Sequence, residues 1–136
     1  MDKKRGQISI ELVITIAFAF LITALLTVLL YEHSYSSYND VNNNQAALIA
    51  RKITDSADSM YYLGYPSSTT LKVYMPENIE YISIYQREVV FRMESGSEIV
   101  STAKTNLTGN LSSSSGLRYI KISAMDNNVK IQDAQP

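Results

Sequence analysis

Lys3-Lys4-Arg5-Gly6-Gln7-Ile8-Ser9-Ile10-Glu11, followed by LVITIAFAFLITALLTVLL at residues 12–30, is the stretch that decides how this chain folds. A basic head sits directly on a long hydrophobic segment, with one carboxylate, Glu11, just inside its start. Residues 12–30 carry no charge. Their polar members are Thr15, Thr23 and Thr27, whose hydroxyls can bond carbonyls of the preceding helical turn. A bilayer core of about 30 Å needs roughly 20 apolar residues in a helix, and residues 8–31 supply them. The three cations ahead of the run predict a cytoplasmic N-terminus and a C-terminal part outside the membrane.

The order of these features differs from that of a secretory signal peptide, in which a small-residue cleavage site follows the apolar region. Here the small residue, Gly6, precedes it, and no Ala-x-Ala site follows Leu30. Cleavage after Gly6 would remove the basic head, leave the hydrophobic helix on the mature protein and make Gln7 its first residue.

Basic residues, a Gly, then Gln-x-Ser-x-Glu and an unbroken apolar helix resemble the class III signal sequence of archaeal type IV pilins. The residues that carry the resemblance are Gly6, Gln7, Ser9 and Glu11. It covers residues 3–31 closely and the rest of the chain by architecture alone. It implies that a prepilin peptidase cuts between Gly6 and Gln7, where a side chain in place of Gly6 would obstruct access to the backbone. It also implies that the helices then leave the membrane and pack side by side as a filament core. Glu11 would pair with the free amine of Gln7 on a neighbouring subunit. An unpaired carboxylate in an apolar setting is costly, so such pairing would favour one axial register. The other reading of Glu11 is a side chain at the membrane interface that reaches water. Ser9 and Glu11 fit an adhesive-type pilus better than an archaellum, whose subunits usually have Gly-rich mature starts.

The chain has 136 residues, enough for a long helix and one small domain, and a formal net charge of −1. Residues 1–6 carry three positive side chains and one negative, so their removal takes the net charge to −3. With no basic patch after Arg5, the expected partners do not include nucleic acid. The absence of Cys excludes disulfides and thiolate metal sites, and a single His, His33, excludes a multi-histidine metal site within one subunit. No catalytic constellation and no phosphate-binding loop is found. Neither an enzyme nor a cofactor is expected. Ten Tyr and no Trp suit surfaces that pack against neighbours.

From Gln7 there is no Gly before Gly64 and no Pro before Pro66, which permits one continuous helix of roughly 80 Å. Its weakest part is the Ser-, Tyr- and Asn-rich stretch at residues 31–44, where a break is the alternative. Val41, Gln45, Leu48, Ile49, Ile53, Ala57 and Met60 recur at helical spacing, with Arg51, Asp55 and Asp58 opposite, which predicts an amphipathic helix with one covered face. The helix should stop near Gly64. Beyond residue 70 the pattern alternates. Five or six short strands are expected, mostly antiparallel because their connections are short. Residues 105–116, with Ser112 to Ser115, read as a polar loop. Alone, such a sheet has a thin core, and the apolar face of residues 41–60 supplies the missing half.

The expected fold class is therefore α+β, a long N-terminal hydrophobic and amphipathic helix with a small antiparallel β-sheet domain on its C-terminal half, the lollipop of the resembled family. The segments are a cleaved leader at 1–6, a transmembrane and filament-core helix at 7–31, an amphipathic extension at 32–63 and a β head at 64–136. Asn106-Leu107-Thr108 and Asn110-Leu111-Ser112 are N-glycosylation sequons on the side expected to face outward, and glycans are common on the surface filaments of the family. Tyr31, Tyr35 and Tyr38, and Tyr61, Tyr62 and Tyr65, are expected at the membrane interface or between subunits. The resemblance implies a structural subunit of an adhesive surface filament. The implied partners are a prepilin peptidase, the membrane, identical or related subunits and N-linked glycans. The precursor would lie in the archaeal cell membrane and the mature subunit in an extracellular filament. The alternatives are a minor, pseudopilin-like component and a membrane-anchored extracellular binding module that does not assemble.

Overall fold

In the computed structural model, residues 2–135 are described, with side chains from residue 9 onward. The elements are one helix, α1 (Asp2–Leu63), and seven strands: β1 (Ser68–Met75), β2 (Ile79–Tyr85), β3 (Glu88–Met93), β4 (Glu98–Thr102), β5 (Leu107–Asn110), β6 (Gly116–Ala124) and β7 (Val129–Ala134). The class is α+β. The Ser- and Asn-rich stretch stays helical, consistent with the absence of any breaker before Gly64. The chain divides into two compact units, residues 1–38 and residues 39–136.

In the first unit the apolar segment is fully exposed, and its polar groups are satisfied within the helix. The hydroxyls of Thr15, Thr23 and Thr27 donate to the carbonyls of Glu11, Ala19 and Thr23, each at 2.8 Å. The side chains at residues 12–30 therefore present no unpaired polar group to their surroundings, which is what a hydrocarbon solvent demands.

The second unit is built on the rest of α1. The helix ends where Gly64 adopts φ +78°, and its N–H donates to the carbonyls of Met60 and Tyr61. This is the left-handed terminus that Gly supplies without steric cost. The strands form two sheets. One has the order β1-β6-β7-β5 and the other β2-β3-β4. Helix residues Ala46, Ile49, Ala50, Ile53 and Ala57 enter one core with Val73 and Met75 of β1, Ile82 of β2, Val89, Phe91 and Met93 of β3, and Ile120, Ile122, Val129 and Ile131 of β6 and β7. One edge strand of each sheet is tied to the helix by a side chain. Gln45 Nε2 donates to the Tyr74 carbonyl of β1 at 3.0 Å, and the Thr54 hydroxyl bonds that of Ser101 in β4 at 2.8 Å. Helical side chains thus occupy a polar group at one margin of each sheet, where open strand edges invite pairing.

Three expectations are corrected. The covered face of the helix keeps Ile49, Ile53 and Ala57 of the expected stripe, with Met60 against the core, but excludes Val41 and Leu48, which are 62% and 68% exposed. The buried stripe is Asn42, Ala46, Ile49, Ala50, Ile53, Thr54 and Ala57, centred on the alanines and away from Val41 and Leu48. Small alanines let the backbone approach the sheets, and Ile49 and Ile53 fill the space between them. Second, residues 105–116 are not all loop, because β5 lies within them and pairs in parallel with β7, from Leu107 opposite Val129 to Asn110 opposite Gln132. The sheet is therefore mixed. Residues 111–115 pass over the end of β7 to reach β6. Asp133 of β7 holds that crossing, its Oδ2 accepting the Ser112 N–H at 2.8 Å and its Oδ1 pairing with Arg118 Nη2 at 2.9 Å. Third, Asp58, expected on the face opposite the covered one, is tied to the β domain. Its Oδ1 accepts the backbone N–H groups of Lys104, at 2.8 Å, and Thr105, at 3.3 Å.

Candidate functional site

The feature with functional content in the first unit is the exposed apolar helix itself. Ile10, Leu12, Val13, Ile14, Phe18 and Phe20, and the apolar side chains that follow to Leu30, are exposed around the helix rather than along one stripe. A helix that buries only one face in its own domain leaves the opposite face polar. This segment is apolar all round, so every face of it needs an apolar surrounding. It is long and apolar enough to cross a membrane.

Glu11 is exposed at the start of this segment, one turn before Thr15, whose hydroxyl bonds the Glu11 carbonyl. The Thr15 bond engages the backbone of Glu11 and leaves its carboxylate projecting from the helix. Gly6 and Gln7 lie outside the residues whose side chains are described. Tyr31 and Tyr35 are exposed beyond the apolar run, and His33 is exposed between them.

The two sequons flank β5. Asn106 is exposed just before it, and its carbonyl accepts the Val129 N–H at 2.9 Å, while Asn110 is exposed at its last position. Thr108 is exposed and Ser112 is half-buried, its hydroxyl bonded to that of Ser114 at 2.9 Å. Both Asn side chains are open to modification, but on an ordered strand rather than on a free loop.

Tyr61 and Tyr62 form an edge-to-face pair, with ring centroids 6.2 Å apart and planes at 67°. Tyr61 lines an open groove that Arg87 and Lys104 also line. Sequence reasoning did not bring these residues together, because they lie on three segments with no common periodicity. Among the described residues, no cluster of three His, Cys, Asp or Glu side chains is arranged to hold a metal ion. Comparison with protein families, with curated proteins and with solved structures finds no match to this chain.

Proposed function

We propose that this chain is a structural subunit of an archaeal type IV pilus-like surface filament, made as a membrane-anchored precursor, trimmed after Gly6 and polymerised through its N-terminal helix. The observation that carries the proposal is an apolar helical segment exposed on all faces, with a single carboxylate, Glu11, at its head and Lys3-Lys4-Arg5-Gly6 before it. A bilayer satisfies the apolar side chains of such a segment but penalises the carboxylate. A bundle of identical helices satisfies both, with apolar side chains against one another and Glu11 against the amine of a neighbouring Gln7. The segment would exchange lipid contacts for contacts with copies of itself, and the β domain would form the outer surface of the filament. Adhesion is the role that the short mature start, Gln7-Ile8-Ser9-Ile10-Glu11, favours by resemblance.

The test joins electron microscopy of filaments sheared from the source cells with mass spectrometry of their subunit. The expected result is a filament whose bulk subunit begins at Gln7. A subunit found only in trace amounts would make it a minor component instead. An intact leader on a protein that stays in the membrane would reject the proposal in favour of an anchored binding module. The mass of the mature subunit also reads the sequons, with added sugar at Asn106 or Asn110 expected and an unmodified mass excluding it.

A further inference from the structure

The groove beside Tyr61 is built from four segments of the second unit: the end of α1, the turn between β2 and β3, the segment entering β5 and the turn between β6 and β7. It is open and has a volume of about 830 Å³, within the range of small-molecule sites. Its walls are fastened by backbone bonds. The Ala103 N–H donates to the Arg87 carbonyl at 2.7 Å, the Leu107 N–H to the Gln86 carbonyl, and the Val129 N–H to the Asn106 carbonyl. Asp58 fixes the backbone of Lys104 and Thr105 from the helix side. The shape is therefore set before any ligand arrives, which lowers the ordering cost of binding.

Three kinds of side chain meet there. Arg87 and Lys104 are exposed, and among the described residues neither has a carboxylate at ion-pairing distance, whereas Arg92 and Arg118 are both paired. Asn106, Asn127 and Asn128 supply amides, each with donors and an acceptor in one plane. Tyr61 supplies a half-exposed aromatic ring, steadied by its edge contact with Tyr62. Planar amides suit vicinal hydroxyls, an aromatic face suits the apolar face of a sugar ring, and a guanidinium fork suits a carboxylate bidentately. A nucleic acid strand asks for a longer cationic track than two side chains in a chain of net charge −1 provide.

We propose that this groove binds a short segment of acidic polysaccharide, with uronic-acid carboxylates on Arg87 and Lys104, hydroxyls on the Asn amides and one sugar ring against Tyr61. The site lies within one subunit, so the proposal stands whether or not the chain polymerises. Asn106 belongs both to the groove and to a sequon, so a glycan attached there would occupy the approach to the site.

The test uses the full-length chain in neutral detergent micelles, made in a host that does not glycosylate it and titrated with trigalacturonic acid while backbone amide resonances are followed. The expected result is saturable shifts at residues 86–87, 104–108 and 127–128, with dissociation in the millimolar range. Arg87→Gln with Lys104→Gln should weaken binding by about tenfold or more, the loss of two charge-assisted contacts, and Tyr61→Ala should weaken it by several-fold. Lys121→Gln with Lys130→Gln, exposed cations on β6 and β7, should leave it unchanged. All these side chains are at the surface, and unchanged thermal unfolding verifies that the variants are folded. Four results would overturn the proposal. They are the absence of saturable shifts, equal weakening by both charge variants, equal affinity for triglutamate or inorganic phosphate, and tighter binding of a short oligonucleotide.

Discussion

At Gly109 a β-carbon would lie 1.7 Å from the carbonyl oxygen of Ile131, and the residue holds φ +133°, where other residues are strained. The parallel pairing of β5 with β7 depends on that missing side chain. Gly109→Ala must push β5 away from β7 and disturb Leu107 and Leu111, both buried beside it. The expected loss is about 3 kcal/mol, the upper part of the range for overpacking, read as a lowered midpoint in denaturant unfolding of the full-length chain in micelles. Gln86 is the opposite case. It holds φ +51° in the two-residue turn between β2 and β3 without being Gly or Asn. Gln86→Gly should raise stability by up to about 1 kcal/mol, because the left-handed conformation is then free of steric cost. An unchanged or lowered midpoint would show that the Gln86 side chain contributes more than the strain costs.

For the helix as an element, the question is which face it buries. The stripe through Ala46, Ala50 and Ala57 faces the sheets, and Val41 and Leu48 do not. Ile53→Ala should cost about 3 kcal/mol as a cavity-forming change in a closed core. Leu48→Ala should stay within about 0.5 kcal/mol of the parent, as expected of an exposed position. Chemical denaturation of the two variants checks both, and comparable losses would mean that the covered face has been misassigned. In the proposed filament Leu48 and Val41 lie on a surface open to neighbours. Leu48→Ala should then reduce filament yield while leaving subunit unfolding unchanged. The tie from Asp58 to the backbone of Lys104 and Thr105 belongs to this scale as well. Asp58→Ala should cost about 1–3 kcal/mol, since it frees two backbone donors from a charged acceptor.

At the scale of the whole molecule, the two units ask for different surroundings. Residues 39–136 close a core of their own, and residues 12–30 bury nothing within the chain. In the proposed function, a bilayer covers the apolar part of α1 before assembly and other copies of it do so afterwards. Under the proposed function, Glu11→Leu separates these two states. The variant suits the bilayer better than the parent does and should still be inserted and trimmed after Gly6. It lacks the carboxylate that aligns neighbouring subunits, so filaments should be absent from sheared fractions while mature subunit accumulates in the membrane. Normal filaments from that variant would remove Glu11 from the assembly mechanism.

Much of this was legible in the chain itself, for a physical reason. An uninterrupted helix, its end at Gly64, an apolar run long enough to span a bilayer and strands with alternating burial are all local properties, set by which residues lie within a few positions of one another. The strands that were legible, such as β3 with Val89, Phe91 and Met93 inward, alternate strictly. β5 was not, because Leu107 is its one buried residue, followed by Thr108, Gly109 and Asn110 without alternation, and its partner β7 lies beyond β6 in the chain. Nor was the rotation of the helix, since hydropathy gives weight to Leu48 where packing selects Ala46 and Ala50. The N-terminal part of α1, with Lys3-Lys4-Arg5-Gly6 and Glu11 at its head, was therefore determined by the sequence alone, because solvent and not tertiary contact decides what an unburied apolar segment requires. The parallel strand, the Ala-lined helix face and the groove joining Tyr61, Arg87 and Lys104 were decided only by the tertiary structure. Each depends on which distant segments come within a few ångströms of one another, and no local pattern of residues encodes that.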